Sequence, residues 1–389
     1  MPGTAPPVLA LNLHAGFECR HSGACCTAGW PIAVEAAVAD AIRACGILPG
    51  PALSTAGQLP EGAAAVLEPL PGGACPAFDE AGGSLCSIQR ELGHADLPAS
   101  CRHFPRVALF EADATRVTLS HFCPTAAWML FAPDAGKLAI VHDAAGIADR
   151  REHDGFDARR TIPPLLRPGV AMDAETCRLW EQHVIGALDS AGQAPEETLA
   201  GLAFTTDAIR NWTAGQGSLE PYARMALAAP AAPRGPGEQW HMTLPSASCL
   251  FVQAAASVPP GLAQPDLPDG AEAGDRAWVK PRWAAHAGPI RRYLAARAFG
   301  AWSAYLGEGL RTQVAMLAVA LAAVRIEAVR ETARASRPLD PALLHAAIRS
   351  ADLLLNHCAD APGLVKSLAG IERGATAAFL DALGLEAAG

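Results

Sequence analysis

Eight of the chain's eleven cysteines fall in the first third of its 389 residues, and seven of them stand in an order that reads as a metal or cluster site. The seven are Cys19, Cys25, Cys26, Cys75, Cys86, Cys101 and Cys123, and the adjacent pair closes the run Phe17-Glu-Cys-Arg-His-Ser-Gly-Ala-Cys-Cys26. Free thiols oxidise and scavenge metals, so an intracellular chain that concentrates them has a use for them. Soft thiolate ligands suit zinc or an iron–sulfur cluster. Ligands so dispersed along a chain would close several loops at once, and metal binding contributes on the order of 10 kcal/mol to folding in small zinc domains. The Pro- and Gly-rich segment Leu48 to Gly73, which has little core of its own, needs a tie of that kind.

The spacings also exclude. There is no paired C-x2-C…C-x2-C, hence no zinc ribbon or finger. Neither a C-x3-C-x2-C triplet nor a ferredoxin-type C-x2-C-x2-C run is present. What remains is a local C-x5-C-C completed by four dispersed cysteines.

The rest of the chain reads as mainly α, with a small, loop-rich α+β cysteine-cluster module at the N-terminus. Two domains are expected, 1–145 and 146–389, which the length accommodates. In the first, Pro31 to Cys45 places Ile32, Val34, Val38 and Ile42 at helical spacing, with Gly46 as a stop. Arg106 to Phe110 and Arg116 to Leu119 read as a β-hairpin. Cys123 to Phe131 starts a helix with Pro124 in its first turn. In the second, Pro289 to Tyr305, Gln313 to Arg334 and Pro341 to Ala359 repeat apolar residues at i, i+3, i+4 and i+7. Asp340-Pro341 supplies an N-cap and N1 for the last of these. The span His241 to Ala256 is compatible with strand or helix. Ala228 to Gly237 and Ser257 to Gly274 read as loops.

Half of the residues are apolar (51%) and few are charged (18%), as in a globular protein. A net charge of −9 without a basic stripe argues against nucleic acid as a partner. No signal-peptide pattern opens the sequence, and the apolar stretch Val314 to Val324 is too short to span a bilayer. A cytoplasmic protein with no membrane partner is the expectation.

The cysteine pattern resembles a family of cysteine-cluster proteins described as zinc- or iron-chelating, and within it the flagellin lysine-N-methylases of FliB type. The text that carries the resemblance is Phe17-x-Cys19-x-x-Ser22-Gly23-x-Cys25-Cys26, then Gly29-Trp30-Pro-Ile32, Cys75-Pro-Ala-Phe78 and Cys86-Ser-Ile88. It continues through Leu97-Pro98-x-x-Cys101-Arg102-His-Phe104-Pro105-Arg106 and ends with Leu119-Ser120-His-Phe-Cys123-Pro124. The likeness covers about residues 17 to 131; beyond it, only helix order corresponds. Members of the wider family often carry cysteine where this chain has Ser22, which puts the detailed ligand geometry in question. The resemblance implies metal ligation by the seven cysteines, with an iron–sulfur cluster (4Fe-4S) favoured over zinc. It also implies S-adenosylmethionine as methyl donor, its amino and carboxylate groups on an open iron position, and a protein lysine, flagellin-like, as acceptor.

Several residues carry a second reading. His21, His94, His103 and His121 lie near cysteines and suit ligation or proton transfer, though a supporting or surface place is the commoner fate. Arg102 and Arg106 suit either a negative cluster or a substrate carboxylate, or are plain surface residues. Trp30 either covers the site or is ordinary core. Cys45, Cys177, Cys249 and Cys358 read as core, and His357 as a surface or packing residue. No nucleophile elbow, P-loop or Rossmann-type turn is present. Two non-methylating readings stay open beside the enzyme: a zinc or iron module that organises a docking fold, and a metal-carrying or redox protein.

Overall fold

The most apolar stretch of the chain is its central helix. In the computed structural model, Leu310–Ala335 forms a single helix of 26 residues, about 39 Å long at 1.5 Å per residue. It extends well beyond Val314 to Val324, and by length and composition it is able to cross a membrane; 94% of its most apolar window is nonetheless buried inside the protein. A helix that is apolar on every side needs neighbours on every side. Here they are Leu244–Ala256, Pro341–Leu353, Pro195–Arg210 and Ala287–Ala298.

Buried charge sets how those neighbours sit. Arg311 donates to both oxygens of Asp207 at 2.7 and 2.9 Å, and Arg325 to both oxygens of Asp275 at 2.9 Å. Removing one partner of such a pair leaves an uncompensated buried ion, so the pairs fix relative placement. At the N-terminus of the central helix, Glu372 accepts from the Thr312 amide (2.8 Å) and hydroxyl (2.9 Å) and also binds Arg210. A carboxylate there satisfies otherwise unpaired N–H groups and complements the helix dipole. Gly309 makes room for it, because a Cβ at that position would lie 2.6 Å from the carboxylate.

The structure describes residues 6–48, 52–57, 59–80, 85–132, 136–143, 147, 155–229, 239–259 and 265–388. Within them the chain is mainly helical with small sheets. The domain boundary expected at 145/146 lies outside the described residues, as do most of the loop expected at Ala228 to Gly237 and part of that at Ser257 to Gly274.

Among the described residues, the cysteine-bearing half holds three small sheets, one of them only the pair Phe78–Asp79 with Leu85–Cys86. The hairpin Arg106–Phe110 and Thr115–Leu119 pairs in antiparallel register, Arg106 opposite Leu119. Val8–Leu11 adds parallel to its second strand, Ile140–His142 follows antiparallel, and Gly155–Asp157 lies parallel on the other edge. The second sheet corrects the expectation of one helix from Pro31 to Cys45. Ile32–Val34 is a strand paired with Ala65–Leu67, which also pairs with Leu53–Ser54, and the helix runs only from Ala36 to Cys45. The alternation of Ile32 and Val34 fits a pleated strand with one buried face, and β-branched residues favour it. Ile32, Val34, Val38, Ile42, Leu67 and Ile88 form a small core, against which Cys75, Cys86 and Cys101 pack half-buried.

Other boundaries shift for identifiable reasons. Ala287–Ala298 ends at a bend, with Gly300 at φ +62°, before the short helix Ser303–Leu306. The left-handed conformation suits glycine. Pro341–Leu353 starts where Asp340 caps Leu343 N at 2.9 Å, then widens into a π turn over Leu354–Cys358. His241 to Ala256 is both things at once: the strand Gln239–Met242, paired with Leu385–Ala388, and then the helix Leu244–Ala256.

Candidate metal centre

All seven cysteines line one cavity of about 720 Å³. Each reaches it from a different local device. Cys25 and Cys26 sit on the single turn Ala24–Thr27, entered through Gly23 at φ +71°. Glycine is doubly required there, because a Cβ would also lie 2.6 Å from the Phe78 ring. The Cys26 carbonyl accepts from Cys75 N at 2.7 Å, which draws the loop before Phe78 to the pair. The Cys25 and Cys26 sulfurs are 4.0 Å apart.

Cys86 and Cys123 are N-cap residues of the helices Ser87–Leu92 and Pro124–Met129. Neither sulfur makes a capping hydrogen bond, but the nearby amides of Gln89 and Ile88, and of Ala126 and Thr125, respectively, work to lower the thiol pKa against burial. Helix N-termini favour thiolate, and N–H groups on sulfur tune a cluster's charge. Cys101 lies on Ala99–His103, a helix tethered by Ala99 N donating to Glu35 at 3.0 Å. Cys19 is exposed and accepts from His21 N at 3.4 Å.

Electrostatics tie the set together. Cys26, Cys75, Cys86, Cys101 and Cys123 each feel the charge of Cys25. Within the adjacent pair one proton is shared: the hydrogen bond from Cys26 pulls the Cys25 thiol down to about 7, and the same bond pushes Cys26 up. Burial raises Cys75, Cys86, Cys101 and Cys123, and neighbouring sulfurs add to the effect. Thiols held this way stay protonated until a cation replaces the protons. Among the described residues, no three His, Cys, Asp or Glu side chains form a group that would hold a single ion. The soft donors thus share one cavity.

The remaining wall comes from the helical half. Arg297, Phe299, Gly300, Trp302, Asn356 and His357 face the same space. The join is made by Asp352, fully buried, which accepts from the Ser120 hydroxyl (2.9 Å), Phe122 N (3.2 Å), the Tyr293 hydroxyl (3.2 Å) and Asn356 Nδ2 (2.9 Å). Burial works against its charge, but His121 and Arg297 outweigh that and hold its carboxyl below the usual range. Arg349 donates to Phe122 O at 2.9 Å, and His345 meets Pro124 O at 3.0 Å. The segment carrying Cys123 is thus fixed by the last helices.

The other expected residues separate. His21, His94, His103 and His121 all line the cavity, as does Ser22. His121 is buried against His14, Nε2 to Nε2 3.2 Å, and burial lowers its pKa to about 4. Arg102 donates to the carbonyls of Ala95 (3.0 Å) and Leu97 (2.7 Å), and Arg106 lies over the Phe17 ring. Trp30 lines the cavity and packs with Phe104, Phe122 and His357, ring centroids 4.9 to 6.1 Å away. Those rings touch one another, so they plug the seam between the halves.

One expectation fails here: Cys45 and Cys249 are exposed, not core, because each falls on the solvent side of its helix. His357 is the exposed, packing residue expected, and it also lines the cavity and bonds Ser120 Oγ at 2.7 Å. Arg297, Trp302 and Asp352 were not singled out in the sequence. An aspartate inside an otherwise apolar helix pattern, four residues before Asn356, was the available signal. No family model, curated protein or solved structure matches the chain.

Proposed function

We propose that this protein is an iron–sulfur protein of the cysteine-cluster kind that transfers a methyl group from S-adenosylmethionine to a protein lysine, as its resemblance to the flagellin lysine-N-methylases implies. The single observation that carries the reading is the convergence of seven cysteines on one cavity. A polynuclear centre is favoured over one zinc ion. Tetrahedral zinc holds its sulfurs about 3.8 Å apart, whereas irons and sulfides extend the reach between thiolates, and no ready three-ligand group exists among the described residues. The three or four thiolates of such a centre, one per iron, would come from among Cys25, Cys26, Cys75, Cys86 and Cys101, with Cys19 and Cys123 at its margin. The centre would supply a fixed, electron-rich wall beside the methyl donor.

This chain's residues do the rest of the binding. The Asp352 network holds the cavity's far wall, and the rings of Trp30, Phe104, Phe122 and His357 pack across the seam. The reaction balances simply: the sulfonium C–S bond breaks, a C–N bond to the lysine amine forms, and the amine releases one proton. An acceptor on a flagellin-like protein and a cytoplasmic setting belong to the same reading.

The test is transfer of labelled methyl from S-adenosylmethionine to a lysine-rich flagellin fragment by anaerobically purified protein. Label on lysine supports the reading. Stoichiometric zinc in colourless protein, with no transfer, would replace it with a non-catalytic docking module.

A further inference from the structure

Among the described residues, the cavity's wall carries three arginines and five histidines but neither aspartate nor glutamate. A chamber of that make-up offers landing places for an anion. The three arginines are not equivalent. Arg102 spends one nitrogen on two backbone carbonyls, and Arg106 lies over an aromatic face at 5.7 Å. Arg297, at the end of Ala287–Ala298, is held from behind. Its Nη1 donates to Asn356 Oδ1 and stands 4.0 Å from Asp352, whose oxygens already accept from Ser120, Phe122, Tyr293 and Asn356.

That hydrogen bond uses one nitrogen of a planar fork with five N–H donors. The side chain is only 15% exposed, and it forms part of the wall between the cavity and a smaller adjoining pocket of about 80 Å³. In that pocket Glu111 and Glu181 are already taken up by Arg116, Tyr305 and Gly300 N, so they do not neutralise Arg297. The bend that follows is rigid: Gly300 N donates to Glu181 at 3.1 Å, and Trp302 Nε1 donates to Ala108 O at 3.0 Å. A guanidinium that is oriented, half-paired and turned to a cavity without carboxylates matches the bidentate geometry of a carboxylate.

We propose that Arg297 is the carboxylate anchor of the cavity, binding the carboxylate of the small molecule that shares the chamber with the cysteines. On the methyl-transfer reading, which supplies only the ligand's identity, this is the methionine carboxylate of S-adenosylmethionine. That carboxylate is then held by protein and not by the metal. Asn356 and Asp352 are positioning residues that aim the fork.

The test compares S-adenosylmethionine with its decarboxylated analogue by calorimetry on the full chain, anaerobically purified, in wild type and Arg297→Ala. Wild type prefers the carboxylate-bearing ligand by tenfold or more. Arg297→Ala loses 10- to 100-fold for that ligand, none for the analogue, and keeps its metal content. Should Arg297→Ala not fold, Arg297→Lys, which keeps the charge without the fork, gives the same pattern with a smaller loss. Undiminished discrimination in a folded, metal-loaded variant overturns the anchor while leaving methyl transfer standing. If S-adenosylmethionine fails to bind wild type, the methyl-transfer reading falls, and malonate decides the anchor alone. Binding to wild type that Arg297→Ala abolishes supports it, and no binding to wild type overturns it.

Discussion

The two halves of this chain solve the same problem with different materials. The helical half surrounds one long apolar helix with others and pins them by buried ion pairs such as Arg311–Asp207 and Arg325–Asp275. Among the described residues, the cysteine-bearing half has three short sheets, small cores and thiols where more core would be expected. Cys75, Cys86 and Cys101 belong both to the rim of a small core and to the wall of the cavity. One half is therefore stable by burial, and on the proposed reading the other would be completed by a metal centre held by its sulfurs. A small core rarely suffices for a loop-rich fold, and a metal tie is a standard remedy.

The sharpest break of that comparison is Cys25→Ser with Cys26→Ser. Bound metal falls to background, and the first half loses most of a stabilisation on the order of 10 kcal/mol. Limited proteolysis then cuts before residue 132 while the central helix stays protected. Next is a substitution in the other half, Glu372→Ala, which strands Arg210 and the N-terminus of the central helix. It costs about 3–5 kcal/mol in denaturant titration, with metal content unchanged. Gly23→Ala forces a side chain into a left-handed position against Phe78. The backbone term is about 1–2 kcal/mol, and the pair Cys25–Cys26 moves, so metal affinity falls more than global stability.

The smallest effect is a slope. Burial raises the thiols of Cys75, Cys86 and Cys123 above their unfolded values, so the folded metal-free chain keeps protons that the unfolded chain releases. Its stability is complete below the ordinary thiol range and declines as pH rises through it. Thermal melts of metal-free protein across that range should show the decline, and metal-loaded protein, with those protons displaced, should not.

The sequence reached the gathering of sulfur but not the whole wall around it. Cysteines are legible because few other residues are so costly to keep without purpose. The hairpin and the helix started by Asp340-Pro341 are legible because turn and cap chemistry are local. Ile32 to Val34 was misread because three residues fit helical spacing as well as alternation, and only pairing with Ala65–Leu67 decides between them. Arg297, Asp352 and His357 were hidden for a deeper reason. They lie far along the chain, and they matter only because the segment Ser120 to Pro124 docks against them.

The central claim is that one inorganic centre completes the cysteine-bearing half. Iron and acid-labile sulfide per chain, with a visible spectrum, measured on anaerobically purified wild type and on the Cys25→Ser, Cys26→Ser variant, test it most directly. Roughly four irons with matching sulfide and broad visible absorption, lost in the variant while helical content persists, is the predicted result. Wild type without stoichiometric metal, or a variant that keeps it, would contradict the account.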